Sequence, residues 1–331
     1  MRPIVALVLA VLALTVSPLF VRWADAPGVV KSLYRMVIAA SIITPLAIYK
    51  LSKGELVIDK RLVFPILAGV FSAIDHTLWT TSIEKTAVAN ATLLNNITPL
   101  WVAIFAGVIW HEKLNYKFWI GLCLLFVGAL MVLGNSLVFS PESIQGDLLA
   151  ITSSFFYAGF YLLTQTGRKK LDPISFLWIM LISAAICLLV FTLVTGAPLF
   201  GYSKVTYIVF FSSAVISQLG GYYLLAYALG RIPSTVVTPT MVLQPVLTAI
   251  IAVPLLGEVL SALQIIGGSL VLGGILVIHG ERRVFDGGPK TEDGFFDGGP
   301  KTEDGFFDGG LKTEDGERSN KLIGDNAGSR S

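Results

Sequence analysis

The chain of 331 residues is strongly apolar, since 54% of its residues are hydrophobic, 14% are charged and its mean hydropathy is +0.75. A soluble domain carries about 25% charged residues, so this composition is typical of a membrane protein. The net charge of +2 is too small to suggest a nucleic-acid partner. We expect the two cysteines, Cys123 and Cys187, to be buried, unpaired thiols, and no metal site or cofactor is indicated.

Ten apolar segments follow one another along the chain, each near the roughly 20 residues that a helix needs to cross a bilayer. They lie at about residues 3–22, 29–49, 62–83, 87–110, 116–134, 146–166, 173–195, 204–228, 233–256 and 261–280. We therefore predict an all-α membrane protein with ten transmembrane helices. The first segment could pass for a signal peptide, but no small-x-small cleavage site follows it, and we expect it to be retained.

The positions of lysine and arginine predict the orientation of these helices, because loops on the cytoplasmic side carry an excess of both. With the N-terminus inside, the inner side receives thirteen of these residues: Arg2, Lys50, Lys53, Lys60, Arg61, Lys113, Lys117, Arg168, Lys169, Lys170, Arg231, Arg282 and Arg283. The outer side receives four: Arg22, Lys31, Lys85 and Lys204. We predict that both termini are cytoplasmic and that the protein lies in the cytoplasmic membrane.

Two parts of the chain are similar to each other at an offset of 146 residues. Without a gap, twelve of forty positions agree between residues 95–134 and 241–280, Pro99 matching Pro245 among them. The offset spans five helices, an odd number, so the second copy would cross the membrane in the opposite direction. We predict two five-helix repeats, residues 1–135 and, inverted, 146–281. Alternating-access transporters are often built from such inverted repeats.

The segments TAVANATLLNNITPLWVAIFAGVIWHEKL (86–114) and STVVTPTMVLQPVLTAIIAVPLLGEVL (234–260) share small residues, a mid-helix proline and a glutamate near the end. In these features the chain resembles the EamA-type branch of the drug/metabolite transporter superfamily, over about residues 1–280. The resemblance implies a transporter of small metabolites, in which the first, third and fourth helices of each half surround a central cavity. An enzyme is not expected, because no apolar segment offers paired catalytic carboxylates, a Ser/His dyad or a metal cage. His111 departs from the pattern, whereas the second copy keeps the more usual Gly257.

Asp75 and His76 lie near the centre of the third segment, with Trp79 on the same helical face as Asp75. A charged side chain at mid-membrane costs at least about 2.5–3.5 kcal/mol, so such a residue is a candidate functional residue. The pair suits the binding of a proton or of a substrate amine. The alternative is that Asp75 hydrogen-bonds to a neighbouring helix and stabilises the fold.

The fourth segment adds the polar residues Asn95, Asn96 and Trp101 around Pro99. Proline inside a helix removes a hydrogen bond and clashes with the carbonyl four residues earlier. Pro99 and Pro245 therefore predict bends at matching depths, which act either as hinges beside a cavity or as static kinks.

The corresponding helices of the second half supply further candidate binding residues: Tyr157, Tyr161, Gln218, Tyr222 and Gln244. At the offset of 146, Asp75 aligns with Gly221, so the acid occurs in one half only. We expect an asymmetric cavity, ionisable on one wall and aromatic on the other, which suits amino acids or related amphiphiles.

Other residues carry smaller predictions. Arg35, near the outer end of the second segment, is expected to extend to the outer surface, with pairing to a substrate carboxylate as the alternative. Glu112 and Glu258 are expected to orient loops at helix ends. Gly121 with Gly128, and Gly267 with Gly274, permit close helix packing, either within the chain or, less favoured, between the subunits of a homodimer.

The last fifty residues differ from the rest of the chain. FDGGPKTEDGF (285–295) recurs at 296–306, a polar repeat that cannot bury enough surface to fold, so residues 282–331 are predicted to be a disordered tail. For the whole chain two function hypotheses remain: a secondary transporter, most plausibly an exporter, and a non-transporting membrane sensor or scaffold. No GxxxxGK[ST] loop occurs, which argues against ATP-driven pumping.

Overall fold

The computed structural model describes residues 1–56, 59–134, 140–256 and 261–285. Within these ranges ten helices are long and apolar enough to cross a membrane, which confirms the predicted all-α, ten-helix class. Numbered α1–α10, they comprise Pro3–Thr15 with Ser17–Trp23 (α1), Gly28–Ser52 (α2), Val63–Lys85 (α3), Val88–Asn95 with Thr98–Ile109 (α4), Tyr116–Leu133 (α5), Ile144–Arg168 (α6), Pro173–Thr195 (α7), Lys204–Ser213, Ala214–Gly221 and Tyr222–Leu229 (α8), Ser234–Met241 with Leu243–Leu256 (α9), and Ala262–Phe285 (α10).

Helix α7 shows how the local sequence sets the ends of a span. Asp172 precedes it and accepts hydrogen bonds from the backbone N–H groups of Ile174 and Ser175, which have no partner inside the helix. Partial burial acts to raise the pKa of Asp172, but these hydrogen bonds and the charge of Lys50 outweigh it and hold the pKa below its ordinary value. At the other end Gly196 adopts a left-handed conformation, with φ of +66°, and terminates the helix.

His111, the residue that departs from the family pattern, follows the end of α4 with φ of +53°. Among the described residues no other non-glycine residue has a positive φ. A side chain in this left-handed region costs roughly 1–2 kcal/mol, whereas glycine adopts it freely. The left-handed backbone explains why glycine is usual at this position, and histidine adopts the same conformation only at a cost in conformational free energy.

The exterior of the helical bundle is apolar. Large side chains such as Val194 and Leu276 are 79% and 71% exposed, an arrangement that is stable where lipid rather than water surrounds the protein. Cys123 also lies on this surface, so the prediction of a buried thiol is wrong for Cys123; both cysteines are unpaired.

The packing of the helices follows the repeat. We call helices at the 146-residue offset equivalent: α1 and α6, α2 and α7, α3 and α8, α4 and α9, α5 and α10. Three equivalent pairs pack directly on each other: α5 on α10, α2 on α7 and α4 on α9. The largest of the other contacts occur as exchanged pairs, since α3 packs on α6 as α8 packs on α1, and α4 packs on α6 as α9 packs on α1. The most extensive contacts are therefore preserved when the two halves are exchanged.

Glycines form the contact between α5 and α10. A Cβ placed on Gly121 would lie 2.9 Å from the carbonyl oxygen of Gly274, and one on Gly128 would lie 2.6 Å from that of Gly267. Because residue number rises along α5 as it falls along α10, the two helices are antiparallel. The glycines are thus used within the chain, as the favoured alternative predicted, and they allow the two backbones to approach closely.

Several predictions fall on residues beyond the described ranges. Gly257 and Glu258 lie outside them, as does the repetitive tail from residue 286 onward. The limits of the two repeats and of the tail therefore remain predictions.

Candidate functional site

Asp75 lies at the junction of α3, α4 and α6, where it is 5% exposed. The hydroxyl of Ser153 on α6 is 2.5 Å from its Oδ1, and Nδ2 of Asn95 on α4 donates to the same oxygen at 3.4 Å and to Ser153 Oγ at 2.9 Å. Nδ1 of His76 is 3.3 Å from the other carboxylate oxygen, Oδ2. A buried carboxylate is stable only when it is hydrogen-bonded or paired, and here both oxygens have partners.

These contacts bear on the two interpretations of Asp75. The structure brings three of the predicted residues, Asp75, His76 and Asn95, into one cluster, and it joins Asp75 to a neighbouring helix as the alternative interpretation expects. Ser153 was missed by the sequence analysis. A weak signal was available, because Thr152, Ser153 and Ser154 form a short polar run between apolar residues of α6.

Trp101 belongs to the same junction. Its Nε1 donates to Ser154 Oγ at 3.0 Å, and Oγ1 of Thr98 donates to the backbone oxygen of Asn95 at 2.7 Å. The latter bond satisfies the carbonyl that Pro99, four residues later, leaves without its helical partner. A side-chain hydroxyl thus supplies the hydrogen bond that this backbone carbonyl needs inside the membrane span.

Helices α4 and α9 are both interrupted in the middle of the membrane span. The first breaks between Asn95 and Thr98, the second at Val242, which is equivalent to Asn96. Pro99 and Pro245 follow the two breaks and are buried. The interruptions occur where the two prolines predict them; their action as hinges remains a prediction.

Aromatic residues of α6 and α8 pack together, beginning at Tyr157, which follows Ser153 by about one helical turn on α6. The hydroxyls of Tyr157 and Tyr161 are 3.0 Å apart, and the rings of Phe160 and Tyr222 meet edge to face with centroids 5.7 Å apart. The tyrosine hydroxyls give this apolar cluster a polar component, which suits an amphiphilic ligand.

Two other predicted residues lie outside the hydrogen-bonded cluster around Asp75. Trp79 and Gln244 are half-buried, and Gln244 contacts the sulfur of Met241 at 3.2 Å. Within the described part of the chain neither makes a hydrogen bond to Asp75. Glu112 accepts a hydrogen bond from Thr235 at 3.1 Å, which joins the end of α4 to the start of α9.

Arg35 does not extend to the surface, so that prediction is wrong. It is 6% exposed, and its Nη2 donates to Oε1 of Gln218 on α8 at 3.2 Å. Gln218 lies in a π-helical turn, Ala214–Gly221, whose wider spacing interrupts the regular helix. Such turns inside α-helices occur frequently at functional sites.

In the described part of the chain, ten helices that could each span a membrane, an apolar exterior and polar clusters in the interior define a multi-pass membrane protein. The sequence model of the EamA-like transporter family matches residues 1–134 and 144–280. The chain belongs to this family, which confirms the resemblance.

Several relatives bear the name uncharacterized transporter. One is the "Uncharacterized transporter YyaM" of Bacillus subtilis, 24% identical over 262 residues that cover 76% of this chain and 84% of the relative. Another is an "Uncharacterized transporter" of Methanothermobacter thermautotrophicus, 23% identical over 69% of this chain and 67% of the relative. A solved structure described only as "Crystal structure of protein" has a TM-score of 0.73 at 15% identity, covers 86% of this chain and 99% of its own, and supports the fold. The protein is therefore a membrane transporter of the cell membrane.

Proposed function

We propose that the protein is a secondary transporter that exports small metabolites, amino acids or related amphiphiles, across the cytoplasmic membrane by alternating access. In this mechanism two halves of inverted topology exchange their shapes, so that a central site opens first to the cytoplasm and then to the outside. The substrate is a small molecule, and the partner of the apolar exterior is the lipid bilayer.

The observation that carries this proposal is the antiparallel contact of α5 and α10. Gly121 lies against Gly274 and Gly128 against Gly267, and the offset of 146 makes Gly121 equivalent to Gly267 and Gly128 to Gly274. Each contact is thus the image of the other under exchange of the halves. This arrangement supports a local twofold axis in the membrane plane, which alternating access between equivalent halves requires.

The substrate class rests on the two polar clusters. One cluster contains Asp75, His76 and Asn95, and the other contains tyrosine hydroxyls among aromatic rings. Sites for small organic ligands combine apolar surface with a few convergent polar groups. The combination favours a small solute that carries both charge and apolar surface over an inorganic ion.

Solute counterflow tests the transport proposal. The purified protein, reconstituted into vesicles loaded with one unlabelled amino acid at a time, is expected to take up trace amounts of the same labelled compound above the level of protein-free vesicles. Export would appear as accumulation of that compound in the medium of cells that overexpress the chain. Absence of exchange for every amino acid and related metabolite would favour a sensor or scaffold instead.

Cysteine labelling tests the inverted topology. In a variant in which Cys123 and Cys187 are replaced by alanine, Ser140→Cys precedes α6 and Lys169→Cys follows it. We expect an impermeant maleimide to label the first in intact cells and the second only after permeabilisation, because an odd number of spans separates them and Lys169 lies on the positively charged side. Labelling of both residues in intact cells would contradict this topology.

A further inference from the structure

Three buried polar groups at the contact of α2 and α8 have no hydrogen-bond partner among the residues that the structure describes: Nε of Arg35, Nε2 of Gln218 and Oγ of Ser213. They belong to one place, since Arg35 and Gln218 are hydrogen-bonded and Arg35 and Ser213 line the same cavity of about 10 Å³. Most buried polar groups in native proteins are satisfied, so three together require an explanation.

The charge at this place is also uncompensated. No carboxylate of the described residues lies within 4 Å of the Arg35 guanidinium. A buried cation is normally paired or coordinates a ligand, because desolvation otherwise makes it costly. Gln218 turns its carbonyl oxygen towards Arg35, which leaves its NH₂ group as a second free donor. The site therefore presents a positive charge and several donors, the chemistry that binds an oxyanion.

We propose that Arg35 and Gln218 bind the carboxylate of the transported solute, with Ser213 as an additional donor. This proposal rests on the proposed transport function and narrows its substrate class to small organic acids, amino acids included. Arginine suits the role because its planar fork matches a carboxylate. The site adjoins the aromatic cluster, since Gln218 and Tyr222 are four residues apart on α8 and the ring of Tyr222 packs against Phe160.

The cavity at Arg35 holds about one water molecule, so the solute enters only when α2 and α8 separate. The π-helical turn gives α8 a segment whose hydrogen bonds differ from those of a regular helix, and Gln218, which contacts Arg35, lies in this segment. The structure thus represents a closed arrangement of this site, and the proposal requires α8 to move relative to α2 during transport.

Matched acids and amides test the proposal. Thermal unfolding of the purified full chain is measured with each of the twenty amino acids and its amide, and the amino acid that stabilises most is then followed by counterflow. We expect an amino acid, but not its amide, to stabilise the protein and to exchange. Arg35→Gln should lower the affinity of the protein for this amino acid by at least about thirtyfold, because truncating one partner of a buried charge pair has effects of this order. Arg61→Gln, an exposed arginine paired with Asp59, is the control and should leave the affinity unchanged.

Gln218→Glu provides a second, independent test that does not depend on the folding of an Arg35 variant. The new carboxylate would lie beside Arg35 and take the place of the solute's carboxylate. We expect this variant to unfold at a higher temperature than the wild type. Neither the amino acid nor its amide should stabilise it further, and it should no longer exchange the amino acid in counterflow. A variant that is stabilised but still exchanges the acid normally would overturn the proposal and leave Arg35 as a structural residue.

The remaining outcomes separate the two proposals and the source of the anion. If the wild type exchanges no solute, the transport function fails. If it exchanges amides as well as acids, or if Arg35→Gln keeps the preference for acids, the carboxylate site fails while transport stands. A lipid phosphate is the other source of an oxyanion, so each assay is repeated in phosphatidylcholine vesicles with and without phosphatidylglycerol. Competition between phosphatidylglycerol and the amino acid, relieved by Arg35→Gln, would assign the site to lipid and overturn the proposal.

Discussion

Replacement of Gly274 by alanine is expected to destabilise the protein, whereas the same replacement of its neighbour Gly273 should have little effect. The two residues differ only in what a new Cβ would contact. At Gly274 it would lie 2.6 Å from the carbonyl oxygen of Gly121 and 3.1 Å from the backbone nitrogen of Leu125, and at Gly273 it would meet nothing within 4 Å. Overpacking of a tight contact costs typically about 1–3 kcal/mol, and backbone atoms cannot move aside as a side chain can.

Thermal unfolding in one detergent measures this difference, with the wild type and both variants compared at equal protein concentration. Alanine has the higher helix propensity, so Gly273→Ala should be neutral or slightly stabilising. A larger side chain, as in Gly274→Leu, should prevent recovery of folded protein, while Gly273→Leu should be recovered normally. Equal stability of Gly273→Ala and Gly274→Ala would contradict the antiparallel contact of α5 and α10, and with it the main support for the inverted halves.

Replacement of Asp75 by asparagine is expected to abolish solute flux driven by a pH gradient and to spare counterflow. In the wild type, Ser153 and Asn95 donate hydrogen bonds to Oδ1 of Asp75. Asparagine has nearly the same shape as aspartate, and its amide oxygen can accept the same two hydrogen bonds. It can neither bind nor release a proton. The exchange of bound solutes requires no net proton movement, so it should continue.

Flux in reconstituted vesicles measures this separation, for the solute that counterflow identifies, with and without an imposed pH gradient. Asp59→Asn is the control, because Asp59 is a loop carboxylate paired with Arg61 and should not affect either activity. If solute flux in the Asp75→Asn variant still depended on the pH gradient, Asp75 would not be the residue that couples transport to protons. Loss of both activities together with a lower unfolding temperature would instead favour the structural interpretation, in which Asp75 fixes α3 to α6.

The candidate site could be predicted from the sequence only in part. Asp75, His76 and Asn95 were recognised because polar residues are costly at mid-membrane depth, which makes each of them conspicuous in an apolar segment. Ser153 was missed, although it makes the shortest contact with Asp75, because serine is tolerated in membrane helices and a single hydroxyl carries little signal. Arg35 was placed at the surface because it lies near a helix end, where long cationic side chains usually reach the headgroups.

The sequence by itself determined the number of helices, their limits and the two interruptions, because these depend on local properties: apolar length, proline and the hydrogen bonds at helix ends. It also indicated the repeat, through the regular offset of its identities. Only the tertiary structure decided which helices meet, and therefore that Gly121 lies against Gly274 and that Arg35 turns inward to Gln218. The physical reason is that a helix in lipid is apolar on every side, so hydrophobic periodicity does not identify its buried face; close packing and the pairing of buried polar groups do.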